Sequence, residues 1–509
     1  MLQTISHPTK DRSLPSFVHP ALADVSEELQ LVNDCWELLR NGKEPYLPKE
    51  PKEPPRAYKN RLLRSSYPSF YRDAIIAYAG ALSRFELRDA PELLRANQSN
   101  IDSDGNSLKA YWMMADAMSL RDAGVLLTVD MPRGQAGDRT SEIATGRRPY
   151  LAYTPRQSVV NWRTEKVQGI ELPVAVSILE WTEVEDGDYG VVIEPRYRVM
   201  FRDEWRVVKL VQGSTGLRVE AVVDESGEEV KGQFLDSRNR PMNNPPVVWY
   251  SGSRAGFGRG QLPLLSLANL TLDWFREYSD LKELLHKTAM PVPVRKGMLG
   301  TGPSGSTPPM ILGPNSGLDL PQDGSFAFAE VAGSSLAQHV DHLKHIENLI
   351  DRQTMNFLLS GATEKTATQS LLESAQLQAS LTSMAEGKSS AMESLFRIWC
   401  QFTGEPIIPG AGIDLDSGVF DQPVTPDQLR LAKDLYNDSL LTRASVVALE
   451  ARAGMLPPDQ TSDDELKLLE EADRKRETGR PKTPTADQIP GLIGMDGTVP
   501  AEPALAGVR

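Results

Sequence analysis

Apolar residues recur every three or four positions through much of the first quarter of the chain. Leu29, Val32, Trp36 and Leu39 share one face and predict a helix over 21–40. Residues 43–55 carry five prolines among charges and read as an extended surface loop. Phe70, Ala74, Ala77 and Tyr78 predict a second helix over 67–85. A third is expected over 107–123, with Asn106 or Ser107 as N-cap and Gly124 as stop. From Val125 the period falls to two. Residues 125–130, 173–181, 196–201, 205–210, 217–223 and 246–250 are strand-like, with turns at 186–187, 213–216 and 226–227. Their short spacing predicts antiparallel sheet.

The period then returns to helical. Leu267, Leu270, Trp274, Tyr278, Leu281 and Leu285 paint one stripe, which Pro291 and Pro293 end. Residues 297–324 are rich in glycine and proline and read as an irregular insert. A second helix over 334–359 is marked by Leu336, Val340, Leu343, Ile346, Ile350 and Phe357. After the polar loop 360–366 comes the longest helix, 367–403, about 55 Å long at 1.5 Å per residue. Leu377, Leu381, Met384, Ala391, Leu395, Ile398 and Phe402 form its stripe, which Lys388 interrupts. The last third is again helical. Thr425-Pro426-Asp427-Gln428 and the run from Ser462 to Glu465 are capping sequences, and Arg474, Lys475 and Arg476 suit a helix C-terminus. Beyond Gly479 no periodicity remains, and a disordered tail is expected.

At 509 residues the chain is too long for one core. No apolar run approaches the roughly 18 residues of a membrane span. The start MLQTISHPTK lacks the order of a signal peptide, so a soluble protein made in the cytoplasm is expected. Cys35 and Cys400 sit beside Trp36 and Trp399 in apolar helical contexts and read as small core hydrophobes. The net charge of −14 argues against a protein that grips nucleic acid over its whole surface. It is compatible with one that lets DNA slide past.

Motifs for chemistry are few. Residues 100–106 (NIDSDGN) open like a calcium loop, but Leu108 and Tyr111 occupy the ninth and twelfth positions, so a helix-capping turn is expected. The glycines at 300, 302 and 305 imitate a dinucleotide fingerprint but are followed by Ser-Thr-Pro-Pro, not by a helix. There is no Walker loop and no serine-nucleophile elbow. His339, His342 and His345 fan across one helix; a polar face is the expectation rather than a metal site. Glu180, Glu183, Asp186 and Asp188 cluster at a predicted turn and read as a solvated edge. Lys282, Lys287, Arg295 and Lys296 gather where the first long helix meets the insert. Lys344 and Arg352 lie on the second helix, and Glu364 and Lys365 in the loop that follows. In a ring each such residue becomes a belt of charge.

Several passages resemble the portal proteins of tailed bacteriophages. They are residues 100–108 followed by 123–132, then 148–153, 160–163, 267–274, 278–281 with His286, and 330–336. The resemblance spans about 60–475 and rests on order and spacing, since none of these passages is chemical. It implies an α+β portal fold. Residues 1–262 would be the wing, 263–290 and 333–359 the stem helices, and 291–332 the clip. Residues 360–404 would be the tunnel loop and long wing helix, 405–478 a short crown, and 479–509 a flexible tail. It further implies a twelve-membered homo-oligomer at one capsid vertex, through which double-stranded DNA passes. Its partners would be the terminase large subunit, a head-to-tail adaptor and the major capsid protein. Lys344, Arg352, Glu364 and Lys365 would be the candidates to face the channel. No enzyme activity, cofactor, metal or membrane is expected, and the protein would reside in the virion after assembly in the host cytoplasm. The alternatives are another virion ring, of tail or baseplate, and a carboxylate-dependent hydrolase.

Overall fold

A computed structural model of the chain describes residues 9–132, 147–213, 216–253, 255–288, 292–296, 325–329, 333–354, 367–415, 426–438, 440–452, 455–456 and 462–479. Helices and antiparallel strands occur in separate runs, an α+β fold. The chain divides into two units, Met1–Val419 and Phe420–Arg509. No described helix is long and apolar enough to cross a membrane.

The first unit opens with α1 (Pro20–Ala23) and α2 (Ser26–Trp36) in place of the single helix expected over 21–40. His19 Nδ1 accepts the Ala21 N–H at 3.1 Å and starts α1; at Val25 the backbone leaves helical geometry. Leu38 and Leu39, both at positive φ, end the segment. α3 (Pro55–Arg64) follows, unmarked in the hydrophobic pattern because its exposed face is basic. Then come α4 (Phe70–Leu82), β1 (Phe85–Arg88), α5 (Glu92–Ala96) and α6 (Leu108–Asp122). Residues 43–55 are not a free loop. The Lys43 ammonium donates to the carbonyls of Leu62 and Ser65, Arg61 donates to Pro48 O at 2.8 Å, and Leu47 is buried. This strap caps α3 with charge-assisted hydrogen bonds rather than apolar contacts, which is why a periodicity search passes over it.

β2 (Val125–Asp130) is flanked by β3 (Tyr150–Pro155) and β10 (Val247–Tyr250) in a three-stranded sheet. A larger sheet runs β4 (Val159–Val167), β5 (Ile170–Asp186), β6 (Gly190–Phe201), β7 (Glu204–Gly213) and β8 (Gly216–Ala221), with β9 (Lys231–Gln233) also on β7. All described pairings between these strands are antiparallel, as expected. α6 stops at Ala123, which takes the left-handed conformation at φ 64°. The expected stop, Gly124, serves another purpose: a Cβ there would sit 2.2 Å from the Trp249 ring. The α6 C-terminus is held instead by polar groups. Ser251 Oγ donates to Ala123 O at 2.8 Å, and the buried Arg156 guanidinium donates to Asp122 O at 3.3 Å.

α7 (Leu265–Thr288), β11 (Val292–Lys296), β12 (Ser325–Ala329), α8 (Gly333–Gln353) and α9 (Ala367–Thr403) complete the long helical section. The expected second helix is described only to Gln353; the insert 297–324 and the loop 360–366 lie outside the described residues, as do 480–509. β13 (Gly412–Leu415) returns to pair with β1, a contact between short strands far apart in sequence.

The C-terminal half of α9 enters the main core. Met392, Leu395, Phe396 and Trp399 lie among Trp112, Tyr250 and the buried side chains of β2. Leu381, Ala385, Lys388, Met392, Leu395 and Trp399 keep a four–three alternation and are all buried. Lys388 therefore does not interrupt the stripe; it sits at its centre, fully buried. Its ammonium donates to Asp116 Oδ2 at 2.6 Å and to Leu82 O at 2.7 Å, and lies 4.5 Å and 5.0 Å from the ring centroids of Phe85 and Trp112. Asp116 Oδ1 accepts the Tyr250 hydroxyl at 2.8 Å. Burial pushes the Asp116 carboxyl up and the Lys388 ammonium down, and each partner's charge opposes the other's shift.

In the second unit, α10 (Pro426–Asn437) begins on the expected proline and α12 (Ser462–Gly479) on the expected serine, with α11 (Arg443–Arg452) between them. Leu429 and Ala432 of α10 and Val446 and Val447 of α11 are buried, and Lys433 pairs with Glu450 at 3.4 Å.

K388M strands a buried carboxylate and is expected to cost about 3–5 kcal/mol, whereas K388M/D116N should recover most of that loss. Urea unfolding followed by circular dichroism checks both. Simply additive losses would show that the pair is not coupled.

Candidate functional site

The candidate site is the helical hairpin α7–α8. Two stripes run along α7. Thr271, Phe275 and Ser279, all buried, face the N-terminal helices. Phe275 meets the Tyr67 ring edge-on, and Ser279 Oγ shares a buried 2.7 Å hydrogen bond with Ser65 Oγ. Of the predicted stripe, Leu267 and Leu281 are buried, and Trp274 reaches α8 through its indole N–H while its ring meets Phe70 of α4. Three polar contacts fix the antiparallel register of the two helices: Ser266 Oγ to Gln353 Oε1 at 2.8 Å, Trp274 Nε1 to Glu347 Oε1 at 3.0 Å, and Glu277 Oε1 to His339 Nδ1 at 2.5 Å. At the far end, β11 and β12 pair antiparallel from Val292 with Ala329 to Lys296 with Ser325, so the hairpin continues as a ribbon.

The basic cluster at the end of α7 separates into different roles. Lys282 is not a free charge. Its ammonium donates to Arg64 O at 3.2 Å and to Ser66 Oγ at 3.4 Å, and lies 4.5 Å from the Tyr278 centroid. Arg64 in turn pairs with Glu283. Together these contacts dock α7 on α3 and give Lys282 a packing role within the basic cluster. Its chemistry is the same; what changes is that a carbonyl and a hydroxyl stand within its reach. Lys287 lies in the last turn of α7, and Arg295 and Lys296 on β11 in register with Phe326 and Ser325. On α8, Leu343, Ile346 and Ile350 are buried, which leaves Lys344 and Arg352 exposed. Lys344 is 67% exposed and its only ion pair among the described residues, with Asp341, is at 4.0 Å. Glu364 and Lys365 lie outside the described residues.

The histidine fan splits. His339 is taken by Glu277, while His342 and His345 are exposed. Among the described residues no group of three potential ligands is close enough to hold a metal. The NIDSDGN segment is a turn stitched from within: Asp102 Oδ1 accepts the N–H groups of Asp104 and Asn106, each at 3.0 Å, and Ser107 caps α6. The carboxylates at the predicted turn lie on the β5–β6 hairpin, where Glu180 receives Arg198 at 2.7 Å. A cavity of about 400 Å³ lies between α6, β10 and α9, and its lining is largely serine hydroxyls, Gln261 and apolar groups, with Tyr250 at its wall. The sequence missed Glu277 and Glu347, which join the two helices. Their place on the edge of the apolar stripe was the available signal.

Residues 263–403, from the start of α7 to the end of α9, match a family described as a domain of unknown function, DUF4055. No curated protein matches the chain. Among solved structures, similarity is found to a chain of the virion of a native gene transfer agent particle, at 12% identity and TM-score 0.38, covering 84% of this chain and 99% of that one. A chain of the neck of the empty particle, computed with C6 symmetry, gives 12% identity and TM-score 0.37 over 77% and 91%. One from the neck of the native particle, computed with C12 symmetry, gives 11% and 0.35 over 80% and 96%. TM-scores this low do not establish a common fold.

The contrast between lysines is measurable. K282A should lower stability by about 1–2 kcal/mol, because it removes charge-assisted hydrogen bonds at a partly buried joint. K344A and R352A should change it by less than about 0.5 kcal/mol. Thermal melts of the three variants check this; equal losses in all three would contradict the assignment.

Proposed function

We propose that this chain is the subunit of a portal-type ring, a conduit for double-stranded DNA at one vertex of a phage-like capsid. The observation that carries the reading is the order of the helical section. Two antiparallel helices are joined through a ribbon, and a long third helix, 37 residues, follows and buries its C-terminal half in the main core. A hairpin anchored at one end and extended at the other suits the wall of a channel. The long helix ties that wall to the body of the subunit. α8 supports the reading further, since its exposed face carries both signs of charge: Asp341, Lys344, Asp351 and Arg352. Such a face attracts phosphates without holding them, and the net charge of −14 opposes tight binding over the whole ring.

In this reading the subunit performs no chemistry of its own. It docks the packaging terminase and later a head-to-tail adaptor, contacts the major capsid protein, and passes DNA through the axis. Lys344, Arg352, Glu364 and Lys365 are the channel-facing residues of the proposal.

The first test is the mass and shape of the purified protein. Twelve copies of a 56.1 kDa chain give a ring of about 670 kDa with a central hole. Native mass spectrometry and electron microscopy read both, and a compact dimer or tetramer without a channel would overturn the reading. Within an assembled particle, K365A is expected to lower DNA packaging or genome retention while rings still form. Normal packaging and retention would remove Lys365 from the channel.

A further inference from the structure

The larger sheet carries an uncovered arm. β4 pairs with β5 only as far as Ile178, and β7 with β6 only from Tyr197 to Met200. Beyond those points β5 and β6 continue alone, with Trp181 opposite Pro195, Glu183 opposite Ile193 and Glu185 opposite Val191. Residues 180–186 extend this two-stranded ribbon by about 20 Å. Directly opposed residues share a face, so one face presents the apolar lane Trp181, Ile193 and Val191 beside Glu183 and Glu185. Val191 and Ile193 are each 59% exposed. A ribbon of two strands is marginal in water by itself, and 190–193 (Gly-Val-Val-Ile) lacks the charges that usually guard an edge strand. Residues 180–194 contain Glu180, Glu183, Glu185, Asp186, Asp188 and Glu194 and no Lys or Arg.

The same unit exposes the complementary surface. α3 contains no acidic residue. Arg56, Lys59 and Leu63 fall on its solvent face, and Leu63 is 75% exposed. Arg56 and Lys59 make no ion pair among the described residues, because Arg61 takes Glu53 and Arg64 takes Glu283. Each copy thus displays an acidic apolar arm and a basic helix with a bare leucine.

We infer that the β5–β6 arm of one copy docks on the α3 face of a second copy of this chain, with Ile193 and Val191 against Leu63 and Glu183 and Glu185 against Arg56 and Lys59. The arm and the helix are different surfaces, so the contact is heterologous. Repeated around an axis, such a contact closes into a ring. The inference rests on the ring reading above and names the joint that holds neighbouring subunits together.

Charge reversal of the full chain tests it, read by native mass spectrometry across a concentration series. E183K/E185K and R56E/K59E should each raise the concentration needed for assembly by about tenfold or more, and the four changes combined in one chain should restore it. The mutated side chains are exposed, so unchanged thermal melts verify the fold. Oxidation of L63C/I193C should give a covalent ladder above the dimer, which neither single variant gives, because Cys35 and Cys400 are buried. Rings that form at the wild-type concentration in either reversed variant would overturn the arm contact and leave the ring standing. The same holds if the combined variant assembles no better than the separate ones. A wild-type chain that stays monomeric throughout would overturn both.

Discussion

A single buried ammonium indexes the longest helix against the core of the first unit. Lys388 brings a positive charge to the centre of the longest helix, and water cannot reach it. A carboxylate, a carbonyl and two aromatic faces replace the hydration it has lost. The four ligands come from three elements: Asp116 and Trp112 from α6, Leu82 O from the end of α4 and Phe85 from β1. Tyr250 of β10 completes the shell through Asp116. A buried ion pair contributes little net stability compared with a well-packed apolar pair, but it tolerates no substitute register. Sliding α9 by one turn would move Lys388 about 5.4 Å and leave two buried charges unsatisfied. The network thus sets the position of α9 along the core.

That position matters because α9 follows the hairpin α7–α8. The hairpin itself is joined to the body by polar contacts as well as by aromatic ones, Phe275 on Tyr67 and Trp274 on Phe70. Ser65 with Ser279, Lys282 with Arg64 O, and Arg64 with Glu283 make a seam whose directional bonds fix an angle, where an oily surface would allow sliding. Within the hairpin, His339 with Glu277 and Trp274 with Glu347 do the same. In the proposed ring, such a rigid, well-indexed hairpin is what would let equivalent charges of neighbouring subunits line up.

The strap 43–55 and the C-terminus of α6 follow one pattern. In both, buried main-chain carbonyls are satisfied by Lys or Arg: Lys43 to Leu62 and Ser65, Arg61 to Pro48, Arg156 to Asp122 and Gly260. Cationic side chains are thereby consumed inside the fold. This is a physical reason why a count of basic residues overstates the cationic groups available at the surface.

Periodicity was enough to find α7, α8 and α9, because their stripes repeat for many turns; it put Lys344 and Arg352 on the second helix, and the structure shows them exposed while Leu343, Ile346 and Ile350 are buried. Whereas β3, β4 and β9 were not marked, the strands of clear alternation and their antiparallel pairing were equally legible. Less so were β1 and β13, four residues each, since a strand that short has no pattern and its partner lies at the other end of the unit. The β5–β6 arm was read too short because its exposed apolar residues alternate with glutamates rather than with a core.

The sequence by itself determined the long helices and the longer alternating strands, since side-chain period is a local property that survives any arrangement in space. Only the tertiary structure decided what each charge does. Lys388, taken as a flaw in a stripe, is its anchor; Lys282, one of a basic cluster in the sequence, is a joint. The identity of a cation is written in the chain, but its role depends on which carbonyls and carboxylates stand within hydrogen-bonding distance, and those arrive from residues far away in sequence.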